Sequence, residues 1–361
     1  MMRAVYLSLC LAAAVSAAEK PAVVELFEDD ANTLIPQLAN NGEIDSGGGK
    51  IEAIKTDVFA GKVSLRVAPI QRFSPKLKGW DFPIVQKPGP GEYRLVRFAW
   101  KKSANTSVMI QFCSQDIDWG HRYFSGPNPP DWPAKQLSSE SPREWVVVTR
   151  DLHQDFGTFN LKGIAFSPMA WGGWALFDHV VLGRTLEDLD RHTLAILKDT
   201  PLPPKLTAGQ LEEHWNNLGK RDDTNAIWQL TAHRDQAVGL VEQKLAGWKP
   251  DARPAWDAAK ARQLIEEAGH HRFVVRESAS QELMKLGDGA LPLLREAINR
   301  AEGESKVRLQ LVLKNWSGAA ANDRLRLERC RMALTAADTP EAKALLVRVN
   351  ILLEDLSGKK P

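Results

Sequence analysis

The 361 residues exceed what one hydrophobic core commonly serves, so at least two domains are expected. Apolar residues at 43% and charged residues at 25% are ordinary globular values, which excludes a disordered or collagen-like chain. A formal charge of +2 is too small a surplus for a nucleic-acid partner, which asks for basic residues clustered on one face.

The N-terminus carries Arg3 and then an apolar run from Val5 to Val15, followed by Ser16, Ala17 and Ala18. This pattern predicts a signal peptide over 1–18, cleaved after Ala17 or Ala18, and export to the periplasm or the exterior. Leu9 stands before Cys10, where a lipid-modified cysteine would follow a small residue. The run is too short to span a bilayer and no later one is longer, so no transmembrane segment is expected. Loss of Cys10 leaves Cys113 and Cys330, which fall in different predicted domains and are expected to be buried free thiols.

From 19 to 186 the hydrophobic period is two. Val63, Leu65 and Val67 alternate with polar neighbours. Tyr93 to Trp100, Ser107 to Cys113, Trp145 to Thr149 and Ala175 to Leu182 are β-branched and aromatic runs of strand length. Gly- and Pro-rich turns at 46–49, 87–91 and 126–130 separate them. About nine strands without a helix predict an antiparallel β-sandwich of jelly-roll type. The segment 187–206 holds a short polar helix-like stretch and Pro201-Leu-Pro-Pro204, and reads as a linker. From 207 to 356 the period becomes helical: Thr207 with Gln210 forms a capping box, Asp257 is an N-cap, and Thr339-Pro340 opens a last helix. Eight or nine short helices predict a stacked α-helical repeat array.

Two resemblances sharpen this. Val275, Arg276, Ala279, Leu283, Leu286 and Gly287, followed by Ala290 to Leu294, resemble a HEAT-type repeat, and 206–353 resembles a helical module of secreted or multidomain bacterial proteins. Phe59 to Val67, Leu95 to Lys101 and Ala175 to Leu182 resemble strands of galactose-binding-like jelly rolls, the architecture of many carbohydrate-binding modules. That second resemblance implies glycan recognition and a structural calcium between the first and last strands, with Asp178 and Glu28 as its carboxylates and Glu25 or Asp29 as alternatives.

Aromatic residues in loops are the candidate ligand platform: Trp119, Tyr123, Trp132, Trp171 and Trp174, with Trp80 nearby. Flat indoles stack on sugar rings, although Trp in such places is more often core packing. Asp116, Asp118, Glu140 and Glu144 are the carboxylates available for acid/base chemistry, and turn roles explain them more simply. His270 and His271 are adjacent and diverge, and no HExxH, GxSxG, P-loop or GxGxxG is present. The expectation is a non-catalytic exported binding protein needing no cofactor beyond that calcium. Its sandwich would hold a glycan or envelope polymer and its helices a protein partner. A scaffold with protein-only interactions is the alternative, and a hydrolase on the sandwich a third.

Overall fold

The computed structural model describes residues 20–39, 49–114, 118–169, 173–220, 224–248, 257–286, 290–314 and 319–357. Residues 1–18, where a signal peptide is expected, and Trp171 lie outside the described residues. The fold is a β-sandwich followed by a helical array, as the change of period indicates.

The first sheet contains β1 (Val23–Phe27), β2 (Lys50–Ile54), β3 (Ser64–Ala68), β6 (Leu95–Lys102), β10 (Val146–Asp151) and β12 (Ala175–Gly183). Their order is β10-β6-β12-β3-β2, with β1 also pairing with β12. The second sheet contains β4 (Arg72–Ser74), β5 (Phe82–Ile84), β7 (Val108–Ser114), β8 (Asp118–Ser125), β9 (Lys135–Ser138) and β11 (Phe159–Ser167). Their order is β4-β11-β7-β8-β9, with β5 also on β11. Among the described strands the pairings are antiparallel except that of β8 with β9. Helices α1 (Ala31–Ala39) and α2 (Leu152–Phe156) interrupt the expected all-strand reading. Leu34 and Leu38 anchor α1 in the sandwich core.

Period-two alternation decides what each sheet face meets. On β6, Val96, Phe98 and Trp100 point between the sheets, while Arg97 and Ala99 face outward. That outer face is not left to solvent. Phe59, Ala99, Trp145, Val147 and Leu176 of the sandwich join Leu197, Trp215, Ile227, Trp228 and Leu240 of the helices in a second core.

The helices are α3 (Leu186–Asp199), α4 (Ala208–Leu218), α5 (Asn225–Ala232), α6 (Arg234–Ala246), α7 (Ala258–Glu267), α8 (Phe273–Lys285), α9 (Leu291–Arg300), α10 (Gly303–Lys314), α11 (Ala319–Ala337) and α12 (Pro340–Ser357). The expected capping box at Thr207 and Gln210 forms, and Asp257 and Thr339 cap α7 and α12. Most of the stretch read as a linker, 187–206, is helix α3, whose Leu189, Thr193 and Leu197 are buried. Gly183 makes room for it: a Cβ there would stand 2.5 Å from Leu189 Cγ. The array also departs from strict chain-order stacking. Helices α7 to α10 form a separate core around Ala279, Leu283 and Leu294, whereas α11 returns to pack on α5, α6 and α12.

Cys113 and Cys330 are both buried thiols outside any disulfide, and burial pushes the Cys330 thiol up to about 12. No described helix is long and apolar enough to cross a membrane.

Candidate functional site

The outer face of the second sheet takes no part in the core that the first sheet shares with the helices. On β7, Val108, Ile110 and Phe112 fill the sandwich core, so Met109 and Gln111 point the other way. On β8, Tyr123 points in and Arg122 out. Pairing aligns Phe73 with Ala165, Ala165 with Gln111, and Gln111 with Arg122, giving one transverse row across four strands. Within it Gln111 Nε2 donates to Gln71 Oε1 at 3.0 Å, and Arg122 Nε donates to Gln111 Oε1 at 2.9 Å. Aromatic rings stand at both ends. Trp119 meets Phe73 edge-on at 5.5 Å, and the Arg122 guanidinium lies 5.6 Å from the Trp132 ring centroid.

Beside this row a pocket of ≈ 320 Å³ opens between Gln71, Met109, Ser167 and the 128–132 loop. The loop is pinned by Ser107, whose Oγ donates to Asn128 O at 2.7 Å and accepts from Asn128 N at 2.9 Å. Trp132 is 46% exposed above it. The volume falls within the range of about 300–1,000 Å³ usual for small-ligand sites. Met109 and Gln111 are themselves buried, so the groups this face offers a ligand are the Trp132 indole, the Gln71 amide and the Arg122 guanidinium, which Gln111 holds in place.

Of the five expected aromatics, Trp119 and Trp132 share this face. Tyr123 is a core residue: fully buried, it packs against Phe112 and donates its hydroxyl to Asp155 Oδ2 at 2.7 Å. It directly follows Arg122 on β8, and alternation sends it to the opposite side. Trp174 belongs to the first sheet, half-buried beneath Arg66, whose guanidinium is 5.6 Å from its ring. Trp80 packs on the sandwich core beside Phe82. Sequence reasoning missed Gln71, Phe73, Gln111 and Arg122. Alternation in VMIQFCS and GHRYFS carries the signal for Gln111 and Arg122, but the pairing of β4 with β11 is a long-range fact.

The carboxylates expected to hold calcium do meet, at the first and last strands, but their oxygens are already taken. Asp178 Oδ2 accepts from Phe59 N and Ala60 N at 2.7 and 3.2 Å, and its Oδ1 from His179 N at 2.8 Å. Asp29 Oδ1 accepts from Lys62 N and Val63 N. Glu28 Oε2 lies 2.6 Å from His179 Nδ1. Only Glu28 Oε1 is buried without a partner, and calcium wants about six to eight oxygens.

Protons account for the rest. Thr193 Oγ1 donates its one hydrogen to Leu189 O at 2.8 Å and accepts from Arg97 Nη1, so His179 Nε2 must donate to it. His179 Nδ1 is then bare and accepts from a protonated Glu28. Burial moves both groups this way, holding Glu28 up at about 9 and His179 down at about 3. Asp178 is raised by burial and by the neighbouring Glu28. The donor set suits a protonated pair and does not fit calcium. Among the described residues no group of three or more His, Cys, Asp or Glu side chains is placed to hold a metal.

Asp116 lies outside the described residues. Glu140 and Glu144 sit in the exposed connection before β10, where Glu144 lies 3.6 Å from Lys101.

No family model and no curated protein matches the chain. A weak structural neighbour is the CBM22-1 xylan-binding domain from Paenibacillus barcinonensis Xyn10C. It is 14% identical, with 38% of this chain and 84% of that chain covered at a TM-score of 0.21.

Proposed function

We propose that this is a non-catalytic exported binding protein that holds a polysaccharide across the outer face of its second sheet. The observation carrying this is the Gln71–Gln111–Arg122 row, closed at one end by Trp132 and at the other by Trp119 and Phe73. Buried Gln111 fixes the partly exposed Gln71 and Arg122, whose polar groups would select hydroxyls, and the indoles supply stacking area at low entropic cost. The reading invokes no catalytic group and no metal.

The helical array serves a protein partner in this reading. Exposed apolar pairs one turn apart, Val307 with Leu311 on α10 and Val347 with Ile351 on α12, support it. A scaffold with protein-only interactions is the competing function.

The test is retention of the purified mature chain on insoluble xylan, cellulose, chitin and peptidoglycan, run beside Trp119→Ala and Trp132→Ala. Retention on at least one polymer, lost in the variants at unchanged melting temperature, is expected. No retention on any of them assigns the protein to the scaffold reading.

A further inference from the structure

A cleft of ≈ 760 Å³ lies between the sandwich and the helical array, remote from the second sheet. One wall is the 55–62 loop of the sandwich, and the other is the extended Pro201–Leu206 strip with α4 and α5 behind it. Both walls are rigidly built. Five consecutive N–H groups of the loop are engaged: Phe59 and Ala60 by Asp178, Gly61 by Thr200 Oγ1, and Lys62 and Val63 by Asp29. The strip is clamped by Gln236, which donates to Leu206 O at 2.9 Å and accepts from Leu206 N at 2.8 Å. His233 holds Pro204 O at 3.2 Å.

The charges in the cleft do not cancel. Lys101 is neutralised by Asp57 at 3.0 Å and Glu144 at 3.6 Å. Lys55, Lys62 and Lys205 are exposed and make no ion pair with any described residue, so the lining carries four lysines against the three carboxylates Asp57, Glu144 and Glu213, a surplus of one positive charge. Of the three exposed lysines two come from the sandwich loop and one from the strip, so a ligand reaching all of them bridges the modules. Leu202, 49% exposed, and its flanking prolines add an apolar ledge along the same wall.

We propose that this cleft is a second ligand site, specific for an acidic saccharide chain bearing carboxylate or sulfate groups. Lysines separated along a cleft match anions repeated along a chain, and the ledge matches sugar ring faces. None of the cleft residues lies on the second sheet, so the two sites are independent of one another.

Calorimetric titration of the full chain with trigalacturonate, a sulfated heparin-derived tetrasaccharide, xylotetraose and inorganic tripolyphosphate tests it. Trigalacturonate or the sulfated chain binds, which separates the carboxylate and sulfate sources, while xylotetraose leaves this site empty. Lys55→Ala, Lys62→Ala and Lys205→Ala each weaken binding by about threefold, the scale of an exposed charge pair. The triple Lys→Arg variant retains affinity, and Lys306→Ala on α10 and Trp132→Ala have no effect. Failure of both acidic saccharides, equal binding of tripolyphosphate, or undiminished affinity in the triple alanine variant would overturn the proposal.

Discussion

The Arg97 guanidinium, on the outer face of β6, lies 4.2 Å from the ring centroid of Trp228 on α5. The same side chain donates to Thr149, to Thr193 and to Asp190, and is 1% exposed. A fully buried arginine thus joins sheet, connecting helix and helical array. Removing one partner of a buried ion pair costs about 3–5 kcal/mol, so Arg97→Ala should destabilise the whole chain by that much. Trp228→Ala should cost about 3–5 kcal/mol through the cavity it leaves. Urea unfolding followed by far-ultraviolet circular dichroism and tryptophan fluorescence should give coincident transitions. Two separated transitions would show that the shared core does not couple the modules.

Arg97 also marks where the sequence stops being legible. Alternation in LVRFAWKK identifies a strand and its inward set, Val96, Phe98 and Trp100. A charged residue on the other face reads as solvent-facing, because nothing local reveals that helices cover that sheet. Helix α3 was obscured for a related reason. Its Pro-rich tail and polar surface suggested a linker, while only Leu189, Thr193 and Leu197 mark its buried face. Trp132 is a loop aromatic outside the strand pattern, as expected, whereas Trp119 and Tyr123 both lie on β8, where the register that sends Tyr123 into the core is not visible locally.

Glu28 and His179 make stability depend on pH in opposite directions. Glu28 titrates near 4.5 when unfolded and about 9 when folded, so its contribution is full below 4.5 and is lost as pH rises through 9. His179 titrates near 6.5 unfolded and about 3 folded, so its contribution is present above 6.5 and is lost as pH falls through 3. Glu28→Gln, whose amide can donate to Nδ1 as the protonated acid does, should raise the melting temperature at pH 8.5 and barely move it at pH 4.5. A variant less stable than wild type at pH 8.5 would refute the protonated pair.

The same geometry predicts that millimolar calcium or EGTA leaves the melting temperature of wild type unchanged. A calcium-dependent rise abolished by Glu28→Gln would place the ion where the structure places a proton.

Leu283, fully buried between α7 and α10, should cost about 2–5 kcal/mol on truncation to alanine. Gln281, exposed on the same helix, should stay within about 0.5 kcal/mol. Equal losses in chemical denaturation would mean that the packing face of α8 is misassigned.

Tyr123 and Trp132 separate core from platform. Tyr123→Ala should lose about 3–5 kcal/mol of stability. Trp132→Ala should leave stability within about 1 kcal/mol, because its ring is nearly half exposed.

The most direct measurement is calorimetric titration of wild type and Trp132→Ala with an oligosaccharide of whichever polymer retains the protein. The sheet-face account predicts binding by wild type and a loss of about 1–2 kcal/mol in the variant, the scale of one aromatic contact, with an unchanged melting curve. Equal affinity in the two proteins would contradict it.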